Sequence, residues 1–191
     1  MTSNGTKVFI AGSRRLSKLS RDVTQRLDNI IEKGLMVLIG DANGVDKAVQ
    51  TYLAKKRYAN VQVFYMDGGC RNNVGNWPAR VVSAANPNRR DFAYYSTKDR
   101  VMTDEAEYGL MLWDGESRGT LTSIVELVGR GKPVVVYFAP DKTFHTLRDS
   151  GDLDALLDQV DPATLSQVNP QLHSISKSSV ASHRSDTALL F

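Results

Sequence analysis

Cysteine is almost missing from this chain: Cys70 is the single one in 191 residues. No intrachain disulfide can form, so a disulfide-stapled scaffold is excluded and a reducing cytoplasm is the expected setting. Histidine is scarce too. His145, His173 and His183 stand far apart in a weakly patterned region and read as surface residues; with no Cys/His cluster at ligand spacing, neither a metal nor another cofactor is expected. Apolar runs are short. None approaches the ~20 residues that cross a bilayer, and Met1 to Thr6 carries no signal-peptide-like apolar region, so no membrane partner is expected. Charge of one sign is also lacking. Lys+Arg 24 against Asp+Glu 21 leaves +3, a mildly basic balance that suits nucleotides or nucleic acid but dictates neither. What is present is apolar material. A hydrophobic fraction of 41% supports a sizeable core, and the length suits one domain plus an appendage.

The apolar runs alternate with helical periodicity. Lys7 to Ala11 reads as a strand, followed by a loop holding Gly12, Ser13, Arg14 and Arg15. A helix capped by Ser20 follows, with Val23, Leu27, Ile30 and Ile31 at helical spacing and Gly34 as its stop. Leu35 to Ile39 is a strand, Lys47 to about Tyr58 a helix, and Val61 to Tyr65 a strand. An irregular insert then runs from Asp67 to Arg90, with Arg71, Arg80, Arg89, Arg90 and Trp77; a loop of this length inside a compact domain is often functional. Trp77 either packs on the core or offers a stacking surface. Cys70 beside Arg71 is a candidate low-pKa thiol. Asp91 to Tyr108 reads as a helix that brings Lys98, Asp99 and Arg100 within reach of a ligand, or else as a solvated stripe. Strands over 109–113 and 134–138 flank a helix with Leu121, Ile124, Val125 and Val128 on its apolar face. Such alternation predicts an α/β fold: a mainly parallel sheet with helices on both faces. The domain is expected over 1–140, a short C-terminal helix over 141–160, and a flexible serine-rich tail over 161–191.

Three turns project from one edge of that sheet. Gly40-Asp41-Ala42-Asn43-Gly44-Val45-Asp46 joins a strand to a helix, where ligands settle in open α/β sheets. The first N–H groups of a helix lack internal partners and the helix dipole is positive there, so anions are favoured. Asp41 or Asn43 is placed to cap the helix. Asp114-Gly115-Glu116-Ser117-Arg118-Gly119-Thr120 repeats the arrangement, and Gly12-Ser13-Arg14 adds a third turn. Ser13, Ser117, Thr120, Arg14 and backbone N–H groups suit phosphate or ribose oxygens. Asp41, Asp46 and Asp114 suit ribose hydroxyls or base amino groups. The expected ligand-binding set is therefore Gly12, Ser13, Arg14, Gly40, Asp41, Gly44, Asp46, Lys98, Asp114, Gly115, Ser117, Gly119 and Thr120.

Ala11-Gly12-Ser13-Arg14 and the two glycine-rich turns resemble the SLOG superfamily, and within it the YspA-like branch of small bacterial or phage proteins. The resemblance covers about Lys7 to Phe138. It implies a Rossmann-like, three-layer fold related to the LOG phosphoribohydrolases and to the DNA-uptake protein DprA. It also implies a pocket for a nucleotide or nucleotide-derived ligand, and paired subunits. Met111, Leu127 and Val128 are candidates for surface that a homodimer or higher oligomer would cover, or else are simply core. LOG-type hydrolases and nucleoside deoxyribosyltransferases carry Gly-Thr-x-x-Glu, whose carboxylate serves an oxocarbenium-like centre. Here Gly119-Thr120-Leu121-Thr122 is followed by Ser123, and Glu126 stands three residues later.

Three functions follow. The leading expectation is ligand binding without turnover, as a sensor or carrier in signalling or defence. The alternative is an N-glycosidic hydrolase or transferase in which Asp114 or Glu116, or else Asp46, replaces the family carboxylate. The third is weak, electrostatic single-stranded nucleic-acid binding through the arginines of the insert.

Overall fold

The computed structural model describes residues 5–85, 90–163 and 165–166. Twelve elements alternate along them: β1 (Lys7–Gly12), α1 (Arg21–Glu32), β2 (Met36–Gly40), α2 (Val45–Lys55), β3 (Val61–Met66), β4 (Ala79–Val82), α3 (Phe92–Glu105), β5 (Tyr108–Trp113), α4 (Arg118–Gly129), β6 (Val134–Phe138), β7 (Thr143–Leu147) and α5 (Ser150–Leu157). The strands form one sheet in the order β4-β3-β2-β1-β5-β6-β7. Every neighbouring pair is parallel except β6–β7. The expected Rossmann-like α/β architecture is what the chain adopts.

The central strands are apolar on both faces because both faces are covered. Val8, Ile10, Val37, Ile39, Val63 and Leu110 pack with Val23, Leu27 and Ile30 of α1 and Val45, Val49 and Leu53 of α2. Phe9, Leu38, Phe64, Met111 and Trp113 pack on the opposite side with α3, α4 and α5. Each fully buried side chain of this size contributes roughly 1.5–3 kcal/mol. Met111, Leu127 and Val128 belong to this interior: of their two readings it is core that holds, and they offer no surface to a second subunit. Ser20 caps α1 by accepting from Val23 N–H, and Gly34 leaves that helix at φ 64°, as its sequence predicts.

Three local expectations are corrected. The insert is not wholly irregular: Ala79–Val82 adds β4 as a parallel edge strand on β3. Three of its four residues are exposed, so it carries no apolar period to read. The helix expected to reach Tyr108 ends at Glu105, with Ala106 already extended, because β5 must begin at Tyr108 to pair with β1. Between β6 and the C-terminal helix lies β7, which turns back on β6 as an antiparallel edge. The tail from 167, with His173 and His183, and Arg89 of the insert lie outside the described residues.

Candidate functional site

Chain connections leave β1 in opposite directions: β1–α1–β2 builds one half of the sheet, and α3–β5 returns on the other side of β1. The carboxyl ends of β1 and β5 are thus a topological switch point, where open α/β sheets leave a crevice. A cleft of about 1030 Å³ opens there. Its walls are the β1 loop, the start of α2, one face of α3, the β5–α4 turn and the segment after α5.

Of the expected ligand-binding residues, Gly12, Ser13, Arg14, Asp46, Lys98, Asp114, Gly115, Ser117, Gly119 and Thr120 line this cleft. Gly40, Asp41 and Gly44 do not. Asp41 faces the insert. Its carboxylate accepts from Arg71 at Nε (2.9 Å), at a terminal guanidinium nitrogen (2.6 Å) and at the backbone N–H (3.0 Å). Burial pushes that carboxyl up, yet the Arg71 hydrogen bonds and charge prevail and hold it below the usual carboxylate value. Asn72 binds the same turn, donating to Asp41 O at 2.8 Å and Asn43 Oδ1 at 3.1 Å. Neither Asp41 nor Asn43 caps α2: Gly44 is the N-cap, without a side-chain bond. Gly44 adopts φ 81°, and a Cβ there would run into the backbone of Arg14. The Gly40 to Asp46 turn therefore locks the β1 loop and the insert to β2.

Asp46 and Lys98 form the floor, each 5% exposed. Asp46 Oδ2 accepts from Ala42 N–H at 3.0 Å, and Lys98 Nζ donates to Asp99 at 2.6 Å. Gly40 makes room for both, since a Cβ there would sit 2.5 Å from Asp46 Oδ2 and 2.8 Å from Lys98 Nζ. Burial raises the Asp46 carboxyl to about 6 despite the Lys98 charge. Burial works against the Lys98 ammonium, but Asp99 and Asp46 outweigh it and its pKa rises; at neutral pH Lys98 is a cation and not a nucleophile.

The second turn is built differently. Asp114 Oδ1 accepts from the N–H groups of Glu116 (3.1 Å) and Ser117 (2.8 Å), and Oδ2 accepts from the Ser13 hydroxyl. Ser117 caps α4, accepting from Thr120 N–H at 3.4 Å and Thr120 Oγ1 at 2.9 Å. The N–H groups of Arg118 and Gly119, first in the helix, have no intrahelical acceptor. Space beside Gly119 is open, the nearest atom to a Cβ being Phe92 Cε2 at 4.0 Å. Glu116 lines the cleft at its exposed rim, ion-paired with Arg15. Ser123 lines the cleft with its hydroxyl donating to Gly119 O at 3.2 Å. Glu126 pairs instead with Arg100 and Arg130 and does not line the cleft.

Asp99 lines the cleft beside Lys98, as one reading of the helix expected, whereas Arg100 pairs with Glu126 away from it. Phe92, Tyr95 and Ser96 were not singled out from the sequence as ligand-binding; with Asp99 they recur at i, i+3, i+4 and i+7 along α3 and form one wall. Arg118 stacks over Phe92 at 4.3 Å, while Arg14 and Arg71 lie 5.6 and 5.5 Å from the centre of the Tyr95 ring. The helical spacing was the available signal; that this face looks onto the cleft depends on the crossover from β4 to β5. Trp77 provides no stacking surface. It is 8% exposed, its indole N–H donates to Tyr58 O, and Asn73 clasps its backbone. Burial and the Asp41 charge push the Cys70 thiol up, the reverse of an activated cysteine. Among the described residues no His/Cys/Asp/Glu group could hold a metal ion, and no helix is long and apolar enough to cross a membrane.

No protein-family model matches the chain, and neither does any curated protein. Among solved structures, it is similar to DNA processing protein A from Helicobacter pylori, a structure that concerns that protein's single-stranded DNA binding mode. Identity is 14% over 89% of this chain and 81% of that one, with a TM-score of 0.53. At this identity the likeness concerns the α/β fold alone.

Proposed function

We propose that the switch-point cleft binds a nucleotide or nucleotide-derived small molecule, and that the chain acts as a sensor or carrier in the manner of YspA-like SLOG proteins. The observation that carries this reading is the open N-terminus of α4. Arg118 N–H, Gly119 N–H, Ser117 and Thr120 converge there on free volume, and a phosphate at such a site is favoured by both hydrogen bonds and dipole. Phe92 and Tyr95, with arginines beside their rings, add aromatic surface on the same wall against which a base can pack. A thermal-shift panel of AMP, ADP, cyclic nucleotides, NAD and ADP-ribose tests it. Stabilisation by at least one member, lost in Gly119→Val, is expected; no shift across the panel would remove the proposal.

Binding without turnover fits the carboxylates. Asp114 spends both oxygens on its own turn and on Ser13, Glu116 is held at the exposed rim by Arg15, and Ser123 stands where the family glutamate would. Incubation with AMP, dAMP and NAD should therefore release no free base. Release that disappears in Asp46→Asn would turn the reading toward an N-glycosidase using the floor carboxylate.

A second reading, single-stranded nucleic-acid binding, has the fold of the Helicobacter pylori protein in its favour. Against it, Arg71 and Arg80 of the insert are paired with Asp41 and Glu105, which lowers the charge available to a phosphate backbone. Strand affinity is expected to be weak and to fall steeply with salt. Tight, salt-insensitive binding of an oligonucleotide would promote this second reading. A homodimer and a cytoplasmic location are carried by the family resemblance and by the scarcity of cysteine.

A further inference from the structure

The floor of the cleft holds unused hydrogen-bonding capacity. Asp46 and Lys98 are each more than nine-tenths buried and both line the cleft. Asp46 Oδ2 takes the Ala42 N–H, and no protein hydrogen bond engages Oδ1 among the described residues. Lys98 has three N–H donors, and one of them is used, on Asp99. An acceptor and donors that the protein leaves unused thus stand together on the largely buried floor of the cleft. Such groups are costly to leave unpaired, and a ligand that completes them gains accordingly. The pair is not a phosphate site, because a carboxylate faces it. Nor does it suit an apolar group.

The complementary ligand group both donates to a carboxylate and accepts from an ammonium. A hydroxyl does both, and two adjacent hydroxyls do so with the fewest demands on orientation. We propose that Asp46 and Lys98 read the vicinal diol of a ribose, one hydroxyl donating to Asp46 Oδ1 and the other accepting from Lys98, so that the cleft selects ribonucleotides over their deoxy counterparts. This rests on the nucleotide reading above and adds the sugar class and its residues. Gly40 is the enabling residue, since any side chain there would displace both partners. Asp99 is a positioning residue: it holds the Lys98 ammonium at 2.6 Å and leaves its remaining N–H groups to the cleft.

The test is calorimetric titration of the full chain with AMP, 2′,3′-dideoxy-AMP, IMP and inorganic phosphate. Hydrogen bonds to charged groups are individually worth roughly ten- to a hundredfold in affinity, so AMP should bind at least about tenfold more tightly than the dideoxy analogue. AMP and IMP should bind within about threefold of each other. Asp46→Asn keeps an acceptor for Ala42 N–H and should lose the sugar preference while leaving inorganic phosphate binding unchanged. Equal affinity for AMP and the dideoxy compound in the wild-type protein would overturn the diol assignment and leave the nucleotide reading intact. A preference that follows the base, AMP over IMP, and not the sugar would overturn it as well, assigning the pair to a base edge. Binding of no nucleotide at all would overturn both readings. The analogue comparison uses the wild-type protein, so it decides the matter even where the variant fails to fold.

Discussion

The two glycine-rich turns of this chain look alike in sequence and have opposite fates. In the turn after β2, every polar group that seemed free for a ligand is either turned inward or placed on the cleft floor. Asp41 is tied to Arg71, and Gly44 is pressed against the Arg14 backbone. In the turn after β5, the carboxylate stabilises the loop itself, so the N–H groups of Arg118 and Gly119 are left facing open space. A glycine that touches backbone is a packing residue, whereas one that faces a void is a candidate contact. The composition of a turn does not distinguish the two; its neighbours in space do.

The largest effect should come from breaking the closed turn. Gly44→Val combines a φ of 81° with a clash against main-chain atoms, and it should cost about 3 kcal/mol or more in urea unfolding. A well-folded, fully stable variant would show that the turn is looser than described. Next is Asp46→Asn, followed as stability against pH. The Asp46 carboxyl is raised from 3.8 to about 6. Between those values the folded chain holds more protons than the unfolded one, so stability falls as pH rises, and the deficit is complete above about 6. Removing the titrating group should erase that fall, worth up to about 3 kcal/mol; identical pH profiles would refute it.

Arg71→Ala should follow, at about 1–2 kcal/mol near neutral pH. The figure is kept below the roughly 3–5 kcal/mol of fully buried pairs because the Arg71 side chain is 40% exposed. Asp41 is depressed, so its contribution is fully present above the ordinary 3.8 and is lost as pH falls through its lower folded value. Unfolding midpoints measured across that range would show the gap between variant and wild type closing. The smallest change in stability is expected for Gly119→Val in the open turn, within about 0.5 kcal/mol, since φ is ordinary and space is free. Yet this variant should weaken nucleotide binding about tenfold or more, by filling the approach to the helix N-terminus. Unchanged affinity there would leave the two turns functionally alike.

Much of the fold was legible because it obeys local rules. Apolar runs of five or six residues, Ser20 before a helical period and Gly34 after it specify strands and a capped helix without tertiary information. β4 and β7 escaped because edge strands are half exposed and their pairing is decided by neighbours. Ten of the expected site residues line one cleft, since chain order alone puts β1 and β5 side by side at their carboxyl ends. The three that do not, Gly40, Asp41 and Gly44, pack against partners that come largely from the β1 loop, the insert and α3, at separations no short motif encodes. The aromatic wall of α3 was visible as helical spacing, but not the direction in which it faces.

Gln159, Val160 and Asp161, just past α5, form part of the cleft wall, whereas β1 starts at Lys7, at the far end of the sheet from the cleft mouth. The two chain directions are thus unequal for labelling. A fluorophore attached at Gln159 would sit at the rim and report occupancy as a change in emission, while a tag placed before Lys7 would leave the site untouched. Immobilisation through the N-terminal side is accordingly the orientation in which a surface-binding assay presents the cleft to solution.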